Sequence, residues 1–307
     1  MTGKRPGIGG KRGAVGTVNF AGGRNAASGR GAAIGRIVVV IPAHDERDRI
    51  AACVNSVIES AQATGLPTDI RVILDACSDG TSEMVPAGVG EVSVVKRSID
   101  SRNVGAARAA GVDPHDLRGD VWLAHTDADT IVDAGWLAAQ IAHADAGADA
   151  VVGTIGVADW EQRPGAVRPL FETLYRDAPG HDHIHGANLS VRGSAYGRVG
   201  GFRALAESED VDLVKRLDAS GARVLRVSDC RVVTSARVSR RTGGGMSGYL
   251  DALAASTAGD AGATEPAGEA AAVGAADLAE PEDAAARDAA RASAPVGESA
   301  LEPHRPA

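Results

Sequence analysis

Apolar residues along the chain alternate between two periods. "RIVVVI" (36–41) is a continuous β-branched run closed by Pro42, the pattern of a parallel strand covered on both faces. Ile50, Val54, Val57, Ile58 and Ala61 then recur at helical spacing, and "TGLP" (64–67) stops that helix. "DIRVILD" (69–75) and "EVSVVK" (91–96) predict a second and a third strand. A small-residue helix is expected over 102–111, a fourth strand over "DVWLAHTD" (120–127), a helix over 134–145 and another strand over "ADAVVGTIGV" (148–157). This order predicts an α/β fold, a Rossmann-like, mostly parallel sheet flanked by helices. Ligands of such sheets sit outside the carboxyl ends of the strands.

Beyond residue 158 the pattern loosens. A charged stretch leads to "HDHIHGANLSVRGSAYGRVGGF" (181–202), then a helix beginning near "SED" (208–210) and a late strand, "ARVLRV" (222–227). No linker divides this half from the first, so a single domain over 36–250 is expected. Its flanks differ in kind. Residues 1–36 carry seven Lys/Arg and no acid, whereas 251–307 carry eleven Asp/Glu against three Arg. Neither flank has hydrophobic periodicity, so both read as disordered tails, a basic Gly/Arg-rich 1–35 and an acidic Ala-rich 251–307. With Phe20 its one aromatic, the basic tail gives no reason to expect nucleic acid.

Composition narrows the class. Aromatics are only 3% of the chain, so Ala, Val, Leu and Ile must build the core. No apolar run approaches the roughly 18 residues of a membrane span, and no signal-peptide pattern opens the chain. Cys53, Cys77 and Cys230 are sparse and far apart, which fits reduced thiols and a cytoplasmic location.

The candidate chemistry lies at predicted strand ends. In "HTDADT" (125–130) Asp127 and Asp129 are one residue apart, so an extended backbone points both side chains to one face. Two like charges there repel unless a cation or water screens them. Hard divalent ions such as Mg²⁺ or Mn²⁺ take carboxylate oxygens and substrate phosphates. Alone, so short a motif is more often a solvated turn capping the next helix. Its company changes that weight: "IPAHDE" (41–46) and "DACSDGT" (75–81) follow strands, "SRNVGAARAAG" (101–111) opens a helix, and "SEDVDLVKRL" (208–217) begins another with an acidic pair.

In that order, over about residues 36–240, these segments resemble glycosyltransferase family 2, the nucleotide-sugar-dependent enzymes of GT-A fold. The resemblance implies that Pro42, Ala43 and Glu46 hold the nucleoside, with Asp45 standing where the family has Asn. Asp75 and Asp79 match the family's "DDGS" segment, although Ala76, Cys77 and Ser78 interrupt it. Arg108 matches the arginine of "GxxAARNxG", whose Asn is replaced by Ala109. Arg102 joins the donor side. Asp127 and Asp129 become the metal aspartates, with Asp129 the direct ligand and Asp127 also near the donor. Gly186–Asn188, with His185 before it, falls on the acceptor side. Glu209 and Asp210 are the catalytic acidic pair, and Asp210 is the base if the enzyme inverts.

The implied activity is transfer of a sugar from a nucleoside-diphosphate sugar to a hydroxyl acceptor, with a divalent cation as cofactor. A metal assists departure of the diphosphate, arginines bind its oxygens, and a carboxylate takes the acceptor proton. Arg237, Arg240 and Arg241, in the Gly-rich "SARVSRRTGGG" (235–245), either close over the diphosphate or form a solvated loop. His181, His183 and His185 alternate, but their spacing fits no usual His metal motif. "GIGGKRG" (7–13) fails as a phosphate loop, since Arg12 stands where Ser or Thr is required. The alternatives are a retaining enzyme of the same fold, a sugar-phosphate nucleotidyltransferase and a degenerate sugar-nucleotide-binding protein. Sugar, base, acceptor and oligomeric state stay open.

Overall fold

The computed structural model describes residues 31–205, 207–238 and 245–260, all within one compact unit. Seven strands form one sheet in the order β3-β2-β1-β4-β6-β5-β7. They are β1 (Arg36–Ala43), β2 (Thr68–Asp75), β3 (Val92–Ile99), β4 (Val121–His125), β5 (Ala150–Ala158), β6 (Leu189–Arg192) and β7 (Val224–Ser235). The helices are α1 (Ile50–Thr64), α2 (Thr81–Met84), α3 (Val104–Ala110), α4 (Trp136–Asp145), α5 (Val167–Leu174), α6 (Gly193–Arg198), α7 (Glu209–Ala219) and α8 (Gly245–Asp260).

Strand alternation builds two cores. Ile37, Val39 and Ile41 of β1 meet α1 and α4 on one face, through Val54, Val57, Trp136 and Leu137. Val38 and Val40 point the other way, to a cluster with Ala107, Tyr196, Leu213 and Leu217 of α3, α6 and α7. Two-sided burial explains why β1 reads as a continuous apolar run. Burying a Val or Ile side chain contributes about 1.5–3 kcal/mol, and all five of these residues are fully buried. A third, smaller cluster joins α5 to α8 through Val167, Phe171, Leu250 and Leu253.

The sheet is mostly parallel, as expected, except that β6 runs antiparallel to both β4 and β5. Four residues are too few to show a period, so β6 is missed by the pattern. β7 runs to Ser235, well past the expected 227, and the third helix starts at Val104 rather than 102. Asn103 fixes that start, its side chain accepting the Ala106 N–H at 2.8 Å. α8 continues past the expected boundary at 250, where Leu253 packs and Asp251 pairs with Arg163. At the other end, residues 31–35 of the expected basic tail are described, and Ile34 is buried in the first core; the rest of the expected tails, "GIGGKRG" among them, lies outside the described residues.

Among the described residues no helix is long and apolar enough to cross a membrane. The three cysteines are unpaired; Cys53 and Cys230 are buried and Cys77 is half-buried.

Candidate active site

The segments after β1, β2 and β3 are clasped together. Glu46 donates its N–H to Thr81 Oγ1 at 2.8 Å, and Asp79 accepts the Arg47 N–H at 3.0 Å. Asp45 accepts the Ser78 N–H at 2.7 Å, and Cys77 donates its S–H to the Ala43 carbonyl at 3.3 Å. Asp75, at the end of β2, accepts the N–H groups of Ser101, Arg102 and Asn103 at 2.7–2.9 Å. Its carboxylate thus anchors the turn that enters α3. Arg102 itself is exposed and pairs only with Asp100.

Backbone strain collects on the same turns. Asp45, Ala76, Arg102 and Ser208 have φ of 51°, 52°, 47° and 60°, a region that non-glycine residues seldom occupy. Such conformations cost about 1–3 kcal/mol each and persist where surrounding bonds over-determine them. The clasp supplies those bonds for Asp45, Ala76 and Arg102. Asp and Asn tolerate left-handed backbone better than other residues, which explains how Asp45 serves where the resembled family has Asn.

Arg108 sits beneath the site. Its buried guanidinium donates to Asp127 at 2.6 Å and to Glu209 at 3.3 Å, and lies 5.7 Å from the centre of the Phe202 ring. Burial alone would lower its pKa, but Asp127, Glu209 and Asp210 together reverse the direction. Gly186 suits this position, because a Cβ there would run into the buried Arg108 guanidinium. The Gly186 N–H is donated to Asp210 at 2.7 Å. One arginine therefore ties the Asp-x-Asp strand end, the acidic pair and the "GAN" turn.

Arg237 covers the site from the end of β7. It pairs with Glu46 and, at 3.1 Å, with Asp129. Thr234 Oγ1 adds a longer bond to Asp129 at 3.3 Å. Burial, then the Asp127 charge, pushes the Asp129 carboxyl up to about 6, with Arg237 opposing. Burial likewise raises Glu209, with Arg108 opposing. Just below, His125 is fully buried between Tyr196 and Phe202. Burial and then Arg108 hold it neutral.

Of the residues expected from sequence, Ala43, Glu46, Asp75, Asp79, Arg108, Asp127, Asp129, Glu209, Asp210 and Arg237 are joined through these contacts, and Pro42 lies in β1 beside Ala43. Arg241 lies outside the described residues. Asn188 does not face the site. Its Nδ2 donates to the Thr154 and Cys230 carbonyls at 2.8 Å each, and its Oδ1 accepts from Trp136 Nε1 at 3.0 Å. It braces β5 against β7 over Gly153, where a Cβ would clash with the amide. Sequence reasoning missed Tyr175, which bonds His185 (Tyr175 Oη to Nε2, 3.1 Å), because a lone tyrosine in an irregular stretch carries no local signal.

Asp113, His115 and Asp116 also bring three ligand atoms within 4.8 Å of one another, a set able to hold a metal ion. They lie ahead of β4, away from the strand ends, and Asp113 and Asp116 are already paired with Arg71.

Residues 38–203, from within β1 through Arg203, match the family model of Glycosyl transferase family 2. The chain belongs to that family. Among solved structures, this glycosyltransferase domain is similar to GalNAc-T7 with UDP, GalNAc and Mn²⁺, at a TM-score of 0.50 and 17% identity over 71% of this chain and 47% of that one. It is also similar to S. aureus TarS 1–349 in complex with UDP-GlcNAc, at a TM-score of 0.49 and 12% identity over 68% and 61%. A third is the mannosyltransferase PcManGT from Pyrobaculum calidifontis in complex with GDP-Man and Mn²⁺, at 0.44 and 16% over 70% and 60%. The chain therefore spans about three fifths or less of the length of each. The fold is of the GT-A type, a mostly parallel sheet flanked by helices. No curated protein matches the chain in sequence.

Proposed function

We propose that the protein transfers a sugar from a nucleoside-diphosphate sugar to a hydroxyl acceptor, inverting the anomeric centre with Asp210 as base. The observation that carries this reading is one cluster of carboxylates at the carboxyl ends of the strands, in which the Asp129 carboxyl is pushed up to about 6 by burial and then by Asp127. Among the described residues, Arg108 pairs with Asp127 and Glu209, and Arg237 with Asp129 and Glu46. Such a cluster favours an added cation and, through it, an anionic diphosphate.

A divalent ion, Mn²⁺ or Mg²⁺, fits beside Asp129 and Asp127. The donors are hard carboxylate oxygens, and burial and then the Asp127 charge push Asp129 up, a push that a bound cation would relieve. When bound, such an ion neutralises the charge that develops on the departing diphosphate.

The chain's own groups carry the other steps. Pro42, Ala43 and Glu46 form a wall for the nucleoside, fixed by the Glu46–Thr81 bond. Asp79 holds the Arg47 backbone and caps Thr81. Arg237 lies where it can exchange a carboxylate for a phosphate oxygen. Arg108, enclosed between Asp127 and Glu209, positions both rather than reaching the donor. Asp210 sits in the first turn of α7, where negative charge is favoured. The Gly186 N–H orients one of its oxygens. A carboxylate so held is placed to take the acceptor proton. A cytoplasmic setting agrees with three unpaired cysteines.

Family membership weighs against the nucleotidyltransferase reading. A thermal-shift screen of nucleoside-diphosphate sugars, with and without Mn²⁺, tests donor and metal together. No shift with any of them removes the reading, and product NMR separates inversion from retention.

A further inference from the structure

Next to the carboxylate site lies a row of rings that the proposed chemistry leaves unused. His181, His183 and His185 stand side by side, neighbouring centroids 5.6 and 5.9 Å apart. Tyr175 lies flat on His183 at 4.0 Å and 8°, and Phe171 backs Tyr175 at 4.9 Å. The imidazoles do not converge on a metal. His181 Nε2 faces the carbonyls of Val152 and Val227 at 3.2 Å each, and His183 Nε2 accepts the Arg176 N–H at 3.1 Å.

His185 is held differently. Tyr175 Oη accepts the Ile155 N–H at 2.9 Å and lies 3.1 Å from His185 Nε2. With one bond already accepted, the phenol is free to donate its own proton to Nε2, an arrangement that leaves the imidazole proton on Nδ1. Burial, then the neighbouring His183 and His181, push His185 down to about 3, so the ring is neutral near pH 7. Burial also pushes Tyr175 up to about 12, so the phenol keeps its proton. The next residue, Gly186, holds Asp210, which places this ring and the base on one short segment.

We infer that Tyr175 is a positioning residue that fixes His185 as a neutral Nδ1–H donor for the acceptor bound beside Asp210. A neutral donor can aim an acceptor oxygen without placing a positive charge that would compete for the Asp210 carboxylate. The acceptor class follows as a polyol, such as a sugar. One oxygen receives the Nδ1–H while a neighbouring hydroxyl gives its proton to Asp210. This inference rests on the transferase reading above.

Nitrogen-15 NMR of histidine-labelled protein tests the tautomer without substrate. Wild type should show a protonated Nδ1 and a bare Nε2 for His185. Tyr175→Phe keeps the ring stack with Phe171 and His183 but frees Nε2, and should give a tautomer mixture. An Nε2–H tautomer in wild type, or no change in the variant, overturns the proposal. In transfer to methyl hexosides, Tyr175→Phe should raise the acceptor KM about three- to tenfold, the effect of one lost hydrogen bond. The donor KM and calorimetric binding of UDP with Mn²⁺ should stay within about twofold. His185→Asn, which keeps an N–H near the Nδ1 position, should retain more activity than His185→Ala. Equal rises in both KM values, or equal losses in the two His185 variants, also overturn it. Failure of wild type to bind UDP with Mn²⁺ removes the acceptor role together with the reading it rests on, whereas the tautomer result then still decides Tyr175's hold on His185.

Discussion

Two clusters of carboxylates and arginines sit against the same sheet, and they are built to opposite balances. Near the starts of β1 and β2, Asp69, Asp113 and Asp116 meet Arg36, Arg71 and Arg97, three carboxylates against three guanidiniums. At the carboxyl ends, among the described residues, Arg108 pairs with Asp127 and Glu209, and Arg237 with Asp129 and Glu46. The carboxyl groups respond in opposite directions. Burial raises Asp69, but Ser93 and Arg36 outweigh it and the group ends below the ordinary range; Arg97 holds Asp113 below it too. Asp129 and Glu209 are pushed up, by burial first. Geometry alone would make Asp113, His115 and Asp116 the metal site. The direction of the shifts argues otherwise, because a carboxyl group already held down by an arginine gains less from another cation than one pushed up by burial and a neighbouring carboxylate.

The largest expected effect is on chemistry. Asp210→Asn should lower the transfer rate by about 10²–10⁴-fold, the usual range for a lost general base, while UDP binding with Mn²⁺ persists. Wild-type turnover in this variant would remove Asp210 as base.

Metal binding breaks or keeps the comparison most directly. Asp129→Ala should abolish Mn²⁺-dependent UDP binding by calorimetry, and Asp113→Asn should leave it unchanged. The reverse outcome would put the ion at the balanced cluster.

Stability separates the two buried arginines less sharply. Arg108→Met should cost about 3–5 kcal/mol in urea unfolding, since it takes the paired arginine from buried Glu209, and Arg71→Met should cost less, since Arg36 and Arg97 still pair with Asp116 and Asp113. Only Arg108→Met should also weaken UDP binding, through Asp127. A loss of binding in both would mean that the clusters are coupled.

The smallest effect concerns the neutral row beside the charged site. His185 lies at about 3 when folded against an ordinary value of 6.5. Between those values the unfolded chain binds the extra proton, so stability rises with pH up to about 6.5 and is lost as pH falls. The slope from this one group is about 1.4 kcal/mol per pH unit. His185→Asn should flatten the unfolding free energy between pH 4 and 6 by about that much. An unchanged slope would show that His185 is not held neutral.

Much of the fold was legible because period and burial are local. Two-sided burial of β1 shows in five consecutive apolar residues, and the strand ends of the parallel half carry Glu46, Asp75 and Asp127 in recognisable segments. The antiparallel β6 was not legible, since direction in a sheet leaves no trace in four residues. Nor was the conversion of Asn188 from expected acceptor contact to internal brace, which depends on β5 and β7 meeting around it.

The sequence by itself determined which groups are available: the aspartates, the arginines, the alternating histidines and the turns able to carry them. Local backbone preference and side-chain period suffice for that. Only the tertiary structure decided which carboxyl groups are pushed up and which are held down, that Arg108 is enclosed beneath the site while Arg237 covers it, and that Tyr175 reaches His185. Those are properties of distance and burial between residues remote in the chain, and electrostatic energy depends on both.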